Sequence, residues 1–291
     1  MDGHFPMLHH FELPSVVEIL GDGTADQHRV RVLHCDGTIN AWSWLTPVTG
    51  DATGVCKAIT TLIPLDTADG STHVVTRIHP AADLDVFGLT PDDFGRKQGI
   101  VFRCRDVVDA IQSAPLRRFL SNVFSIPSVY RYFWTSPASQ AHHHAYPGGL
   151  ADHSIEIAEN VMDTPRLSSL ERDVGIAHAL VHDIGKLWCY AEDGRHLMAL
   201  GHELVGLHHL HDPLEQLSQE WPDGAIALQS LLSGLWKQRG GKPIMSVGKL
   251  VQAYDQTSAE RELRSRKGHK HQPWEPAPYE TGNVLTFRGA R

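Results

Sequence analysis

Hydrophobic and polar positions change their spacing about one third of the way along the chain. Up to about residue 105, short segments rich in β-branched and aromatic residues alternate with turn signals such as Asp36–Gly37 and Asp69–Gly70. Several such segments within about 100 residues predict a small β-barrel, with an OB-like barrel as the leading case. The predicted strands are Val16–Leu20, His28–His34, Thr38–Leu45, Val55–Ile63 and Thr72–His79.

From about residue 106 to residue 266, apolar positions recur at helical spacing. We therefore expect an α+β protein with a β-rich domain at 1–105 followed by an all-α helical bundle at 106–266. The polar segment Pro91–Gln98 predicts a linker, and 267–291, rich in Pro, Gly and His, predicts a C-terminal tail. The predicted helices are 106–112, 115–124, 127–134, 149–163, 169–190, 199–219, 223–236 and 245–266.

The composition indicates an ordinary globular protein but does not identify its binding partner. The chain has 291 residues, of which 41% are hydrophobic and 21% charged, as in an ordinary globular protein. The net charge of −8 gives no overall basic field for nucleic acid, although a local basic groove would suffice. The cysteines lack Cys-x-x-Cys spacing and predict free thiols in a reducing compartment. With no signal-like N-terminus and no long apolar run, the sequence predicts a soluble, cytoplasmic protein without membrane contact, of unspecified oligomeric state.

The segment Val181–Lys186, Val-His-Asp-Ile-Gly-Lys, is the strongest candidate for chemistry. Burying its adjacent histidine and aspartate near a core is costly unless something compensates the charge. His182 and Asp183 project about 100° apart if they lie on a helix, so an ion shared by both would sit between them. His153 and Asp255 are candidates to complete such a site. The mixed nitrogen and oxygen donors favour a transition metal over calcium and, more weakly, over magnesium.

The order of these residues resembles the HD superfamily of metal-dependent phosphohydrolases. The pattern is a histidine, then a His-Asp pair, then a distant aspartate, matched by His153, His182, Asp183 and Asp255 over about residues 115–262. The resemblance implies an all-α HD domain that binds a divalent metal ion, with Mn favoured among Mn, Fe, Ni, Zn and Mg. It further implies a phosphodiesterase or nuclease in which the metal activates water.

Two branches of this superfamily are more similar than the rest. The run His143–Leu150 and the barrel-then-helices order resemble OB-plus-HD 3′-to-5′ exoribonucleases. Ser136–Ser139 and Asp255–Ser258 resemble the HD-type, TraI-like relaxase domain of conjugative elements. Both branches imply single-stranded nucleic acid as partner, and the sequence does not separate DNA from RNA.

The resemblance also bears on the number of metal ions. Gly201–Glu203 is similar to the element that supplies a further histidine in two-metal members, which makes His202 a candidate fifth ligand. Many of those members carry a Ser-His-His-Gly motif later in the domain. The comparable segment here, Leu231–Trp236, has no histidine, so a second metal is not predicted.

Several residues are candidates for substrate contact. The resemblance implies that His143 and His144 border the substrate opening and that Tyr146 stacks on a base. Arg261 and Arg264 belong to a basic cluster that would track a phosphate backbone, or would simply be solvated. On the barrel a single-strand platform is one interpretation, and packed tryptophans with solvated charges are the other. The residues of this single-strand platform would be Arg29, Arg31, Trp42, Trp44, Lys57 and Arg77.

The expected catalytic residues are Asp183 and Lys186. Asp183 would orient the attacking water and serve as general base. Lys186 would contact the phosphate as a point charge, or would be a solvated lysine at a helix C-terminus. His178, one helical turn before His182, would orient that histidine or be a satisfied core residue. Two other functions stay open, a nucleotide phosphohydrolase acting on a small nucleotide and a non-catalytic binding module stabilised by a metal.

Overall fold

The N-terminal part of the chain is a closed barrel of β-strands. The structure is a computed structural model that describes residues 9–20, 27–45, 54–67, 70–140, 144–191, 194–238 and 241–266. The strands follow one another around the barrel in the order β1-β2-β3-β5-β4, and β1 also pairs with β4. The β3–β5 pair is parallel and the other pairs are antiparallel. The strands are β1 (Phe11–Ile19), β2 (His28–His34), β3 (Gly37–Ser43), β4 (Val55–Thr67) and β5 (Gly70–Pro80).

This architecture confirms the predicted small barrel. Alternate residues of each strand point inward, so that Val30 and Val32 are buried on β2 and Cys56 and Ala58 on β4. The two tryptophans do not fill this core: Trp42 is half-buried and Trp44 is 55% exposed. The interpretation in which the tryptophan pair packs the barrel is therefore wrong.

The rest of the described chain is helical, as predicted. α5 and α6 form the centre of its core, and α11 packs across both. The helices are α1 (Val86–Leu89), α2 (Ile100–Asp109), α3 (Ala114–Val123), α4 (Pro127–Tyr132), α5 (Gly149–Met162), α6 (Ser169–Val181), α7 (Lys186–Cys189), α8 (His202–His209), α9 (His211–Glu220), α10 (Pro222–Leu232) and α11 (Val247–Arg266). Short 3-10 helices span Asp92–Phe94, Gly194–Leu200 and Leu235–Lys237. Among the described residues, no helix has the length and apolarity needed to cross a bilayer.

The polar segment between barrel and helices is more ordered than a linker. It contains the 3-10 helix Asp92–Phe94, and the Phe94 ring packs against Tyr130 with ring centroids 5.1 Å apart. Helix α2 begins before the predicted start at residue 106 and runs through the 105/106 boundary. The packing of Phe94 explains this order, because its partly buried ring anchors the otherwise polar segment to the core. The division into domains stays a prediction.

A buried carboxylate joins the barrel to the helices. Glu18 on β1 is 1% exposed and pairs with Arg31 on β2 and with Arg131 at the end of α4. Arg131 also donates from Nη2 to the carbonyl oxygen of Ile19 at 2.9 Å. A buried charge is tolerated only when it is paired, so this arrangement fixes α4 against the barrel.

Candidate metal centre

The His-Asp pair lies in a turn rather than inside a helix. α6 ends at Val181, and α7 begins only at Lys186. The prediction of one helix over 169–190 is therefore wrong. In the turn the backbone hydrogen bonds run from Ile184 to Val181 and from Lys186 to Asp183, three residues apart instead of four. A Cβ atom at Gly185, within this turn, would lie 1.9 Å from the carbonyl oxygen of His202. Glycine lets the start of α8 approach this turn, and that approach carries His202 to the pair.

Residues from four parts of the chain converge at this turn. His153 Nε2, on α5, lies 3.1 Å from Asp255 Oδ1, on α11, and 3.7 Å from Asp183 Oδ2. His202 Nε2 lies 3.2 Å from Asp183 Oδ1. One ligand atom each from His153, His182 and Asp255 lie within 4.8 Å of one another. Donors at about 2.0–2.2 Å from a shared ion have mutual separations of up to about 4.4 Å, so these three side chains lie close to the spacing that one metal ion requires. Asp183 does not belong to this group of three, although its carboxylate adjoins it.

The hydrogen bonds of His182 fix the nitrogen that it presents. Its Nδ1 lies 2.8 Å from the carbonyl oxygen of Ala179, which can only accept, so Nδ1 carries the proton. Burial lowers the pKa of His182, which keeps the ring neutral and leaves a lone pair on Nε2. That nitrogen is buried and has no hydrogen-bond partner among the described residues. An unpartnered buried nitrogen is costly, and a cation bound to its lone pair would remove that cost.

The carboxylates at the site are held in the charged form. Burial acts to raise the pKa of Asp183, but its polar neighbours, among them the Lys186 ammonium group and a hydrogen bond with His202, outweigh that effect, and the pKa lies well below its usual range. Burial likewise opposes ionisation of Asp255, yet its contacts with His153 and His182 lower its pKa to about 2. Both side chains therefore offer anionic oxygens to a cation near neutral pH.

Lys186 is buried and pairs with Asp183 through Nζ and Oδ2. The interpretation of Lys186 as a solvated lysine is therefore wrong. Burial alone would lower the pKa of Lys186, but the charge of Asp183 raises it above the ordinary value. The ammonium group stays positive next to the candidate metal ligands.

The site opens to solvent on one side. The side chains of Asp255 and His202 are 33% and 32% exposed, whereas those of His153 and Asp183 are 0% and 5% exposed. A metal sealed in for stability alone would have no open position. The opening favours a site that admits a substrate.

His144 and Tyr146 belong to a polar network beside the cluster. His144 is buried, with Nδ1 2.8 Å from the Tyr146 hydroxyl and Nε2 3.1 Å from Ser258 Oγ. The Tyr146 hydroxyl donates to Asp152 Oδ2 at 2.7 Å. Burial opposes ionisation of Asp152, but hydrogen bonds from Lys97, Tyr146 and Arg103 lower its pKa to about 2. The contacts tie both rings to the protein, and their predicted role toward substrate stays a prediction.

The basic residues near this network are balanced by acidic ones. Arg261 is 70% exposed and pairs with Glu156. A polar cavity of about 460 Å³ lies here, and its ionised lining consists of three basic and three acidic side chains, Lys97, Arg103, Arg261, Asp152, Glu156 and Glu159. Such a lining gives no strong field for a phosphate. His143 and the end of the basic cluster at 267–270 lie outside the described residues, as does the side chain of Arg264.

Sequence reasoning missed the groups that orient the two central histidines. The Ala179 carbonyl holds His182, whereas His178 only meets that ring edge-on, with centroids 6.3 Å apart. Ser258 and Glu156 lie beside His153. The available sequence signal was Glu156, an acidic residue three positions after His153 and therefore close to the same face of the predicted helix.

A small barrel followed by helices, with histidines and aspartates converging in an open pocket, defines a candidate metalloprotein. Residues 131–220 match the TraI_2 family, whose description reads "Putative helicase". This match covers less than half of the chain and supports a relation to the TraI-like relaxase domain. The matched range includes His153, His182, Asp183 and His202 and ends before Asp255. No curated protein and no solved structure matches the chain.

Proposed function

We propose that this chain is a metal-dependent phosphodiesterase of the HD type that cleaves single-stranded nucleic acid. The observation that carries the proposal is His182 Nε2, which has no hydrogen-bond partner among the described residues and forms a group with His153 and Asp255, beside the Asp183 carboxylate. A neutral imidazole next to ionised carboxylates is the donor set of a divalent transition metal. Manganese is the favoured ion, and His202 is a further ligand candidate.

The chain's own residues would bind the ion and position the reactants. A divalent metal would supply positive charge for a phosphoryl oxygen and make water acidic enough to act as nucleophile near neutral pH. Asp183 would orient the attacking water. Its low pKa favours orientation over proton abstraction, because a general base works best with a pKa near the operating pH. Lys186, already charged beside Asp183, would stabilise negative charge as the phosphoester bond breaks.

The nucleic-acid part of the proposal rests on two further observations. The TraI_2 match points to proteins that process nucleic acid, and the relaxase resemblance favours single-stranded DNA as the first substrate to test. On the barrel, the Arg29 guanidinium lies 5.9 Å from the centroid of the Trp42 ring, and the Trp44 ring is exposed nearby in sequence. An exposed aromatic ring close to a half-buried ring and a cation suits stacking on unpaired bases.

Cleavage of defined substrates tests the proposal. Purified protein would be incubated with Mn²⁺ and labelled single-stranded DNA, single-stranded RNA or a nucleotide panel. We expect cleavage of a single strand by wild type and none by Asp183→Ala. Asp163→Ala is the matched control, because Asp163 is an exposed aspartate at the end of α5. Cleavage of nucleotides alone would favour the small-nucleotide phosphohydrolase. Absence of turnover on every substrate, or turnover unaffected by Asp183→Ala, would refute the enzymatic proposal.

A further inference from the structure

We infer that Ser258 is a positioning residue that fixes which nitrogen of His153 faces the metal. The inference rests on the proposed metal centre and adds a residue that controls it. Ser258 lies one helical turn after Asp255 on α11 and is 3% exposed. Its hydroxyl is within hydrogen-bond distance of groups on α5 and on the segment before α5.

The hydroxyl has one proton, and Glu156 takes it. Ser258 Oγ donates to Glu156 Oε2 at 3.1 Å, and an ionised carboxylate can only accept. Glu156 is in turn paired with Arg261, which favours its charged form. The remaining capacity of the Ser258 oxygen is therefore that of an acceptor.

It follows that His153 Nδ1, which faces this oxygen, can donate its proton to it. His144 is not constrained in the same way, because its Nδ1 faces the Tyr146 hydroxyl, whose own proton goes to Asp152. His153 Nδ1 lies 3.3 Å and His144 Nε2 lies 3.1 Å from Ser258 Oγ. A proton on His153 Nδ1 leaves the lone pair of the neutral ring on Nε2, the nitrogen that faces Asp183 and Asp255. The opposite tautomer would direct an N–H group at the cation.

His182 is likewise protonated on Nδ1, but through a different hydrogen-bond acceptor. There a backbone carbonyl, that of Ala179, accepts the Nδ1 proton. For His153 the acceptor is a side chain on another helix, so the tautomer depends on α11 packing against α5. α11 thus supplies both the carboxylate of Asp255 and the hydroxyl that prepares its neighbouring ligand. Such outer hydrogen bonds hold the ring in place and raise its basicity toward a metal.

Metal affinity is the readout that a purely structural serine would not change. Mn²⁺ and Co²⁺ binding would be measured by competition with a fluorescent chelator, together with the visible spectrum of the Co²⁺ form. We expect Ser258→Ala to weaken binding by about tenfold to a hundredfold, as loss of an outer-shell partner does. Ser258→Thr, which keeps the hydroxyl, should recover most of the affinity.

Thr257→Ala is the matched control. Thr257 is the adjacent hydroxyl on the same helix, but it is exposed and donates to the carbonyl of Ala253 at 2.8 Å. We expect it to bind metal like wild type. Unchanged affinity in Ser258→Ala, or an equal loss in Thr257→Ala, would overturn the inference while leaving the metal centre intact. A wild-type protein that binds no divalent metal would overturn both the inference and the proposed function.

A second measurement on the wild type guards against misfolding of the variants. Long-range ¹H–¹⁵N correlation spectra of the Zn²⁺-loaded full chain report which nitrogen of each histidine bears a proton. We expect His153 to be protonated on Nδ1 and metal-bound through Nε2. A His153 ring protonated on Nε2 would contradict the role assigned to Ser258, whatever the behaviour of the variants.

Discussion

His153 Nε2 lies 3.1 Å from Asp255 Oδ1, although the two residues are separated by 102 positions in the chain. The contact joins α5 to α11 and brings two predicted metal ligands to the same turn after α6. Facing a carboxylate, a neutral imidazole either donates a proton or shares a cation with it. The tautomer imposed at Nδ1 by Ser258 favours the shared cation.

Removal of the Asp255 carboxylate should weaken metal binding more than removal of any outer hydrogen bond. For Asp255→Ala we expect a loss of Mn²⁺ affinity of at least about a hundredfold, the upper end for outer-shell losses. Isothermal titration calorimetry on metal-stripped protein measures this directly. Asp163→Ala should titrate like wild type, and an Asp255→Ala variant that did the same would remove Asp255 from the ligand set.

Gly185 should be intolerant of a side chain. A Cβ atom there would meet the His202 carbonyl oxygen at 1.9 Å and the Gly206 amide nitrogen at 2.6 Å, both of them rigid backbone atoms. We expect Gly185→Ala to lower the free energy of unfolding by about 1–3 kcal/mol, the usual cost of overpacking. It should also weaken metal binding by moving His202 away.

Gly206→Ala is the control for that experiment. The corresponding Cβ would meet its nearest atom at 3.4 Å, an ordinary contact, and alanine is the better helix former. We expect the free energy of unfolding to stay the same or rise in chemical denaturation. If Gly185→Ala were as stable as Gly206→Ala, the close approach of α8 to the turn would be wrong.

Glu18 should be important for joining the barrel to the helices. Glu18→Gln leaves the Arg31 and Arg131 guanidinium groups without their buried carboxylate. Because both arginines are partly exposed, we expect a loss of about 1–3 kcal/mol in the free energy of unfolding. Urea denaturation followed by tryptophan fluorescence measures it, with Glu12→Gln on the exposed end of β1 as control. Equal stabilities of the two variants would show that the Glu18 pairs are dispensable.

The metal-free protein should lose stability on acidification because of His178. Burial lowers the pKa of His178 to about 3, against about 6.5 in an unfolded chain. Between these values the unfolded state binds more protons than the folded state. The free energy of unfolding therefore falls as pH decreases from about 6.5 toward 3, with a limiting slope of about 1.4 kcal/mol per pH unit.

Denaturation in EDTA across this pH range tests the effect of His178. We expect His178→Leu to flatten the slope, whereas His79→Leu, which replaces an exposed histidine on β5, should keep it. A slope that is unchanged in His178→Leu would mean that the buried ring is not the source of the pH dependence.

The sequence predicted those features that depend on local patterns. The β-branched residues between turn signals predicted the bounds of β2, His28–His34, without error. Secondary structure of this kind depends on residues close together in the chain, so it can be predicted without knowing the fold. The family resemblance singled out His153, His182, Asp183 and Asp255, which the fold brings near one another, and their role as metal ligands stays a prediction.

The features that sequence reasoning missed come from tertiary packing. The helix predicted over 169–190 is interrupted between Val181 and Lys186, where α8 approaches Gly185, and periodicity carries no information on that approach. The tautomer-fixing contact of Ser258 joins side chains from two helices more than 100 positions apart. Likewise Lys186 was expected near phosphate or solvent, and its burial against Asp183 follows only from the turn.

The central claim is that His153, His182 and Asp255, beside the Asp183 carboxylate, bind one divalent metal ion that serves phosphodiester cleavage. Anomalous diffraction at the manganese edge, from crystals of the wild-type chain grown with Mn²⁺, tests it most directly. The account predicts one strong peak at about 2.0–2.2 Å from His153 Nε2, His182 Nε2 and an oxygen of Asp255. Absence of a peak between these atoms, or a peak only elsewhere, as at the exposed His34–Asp36 turn, would contradict it.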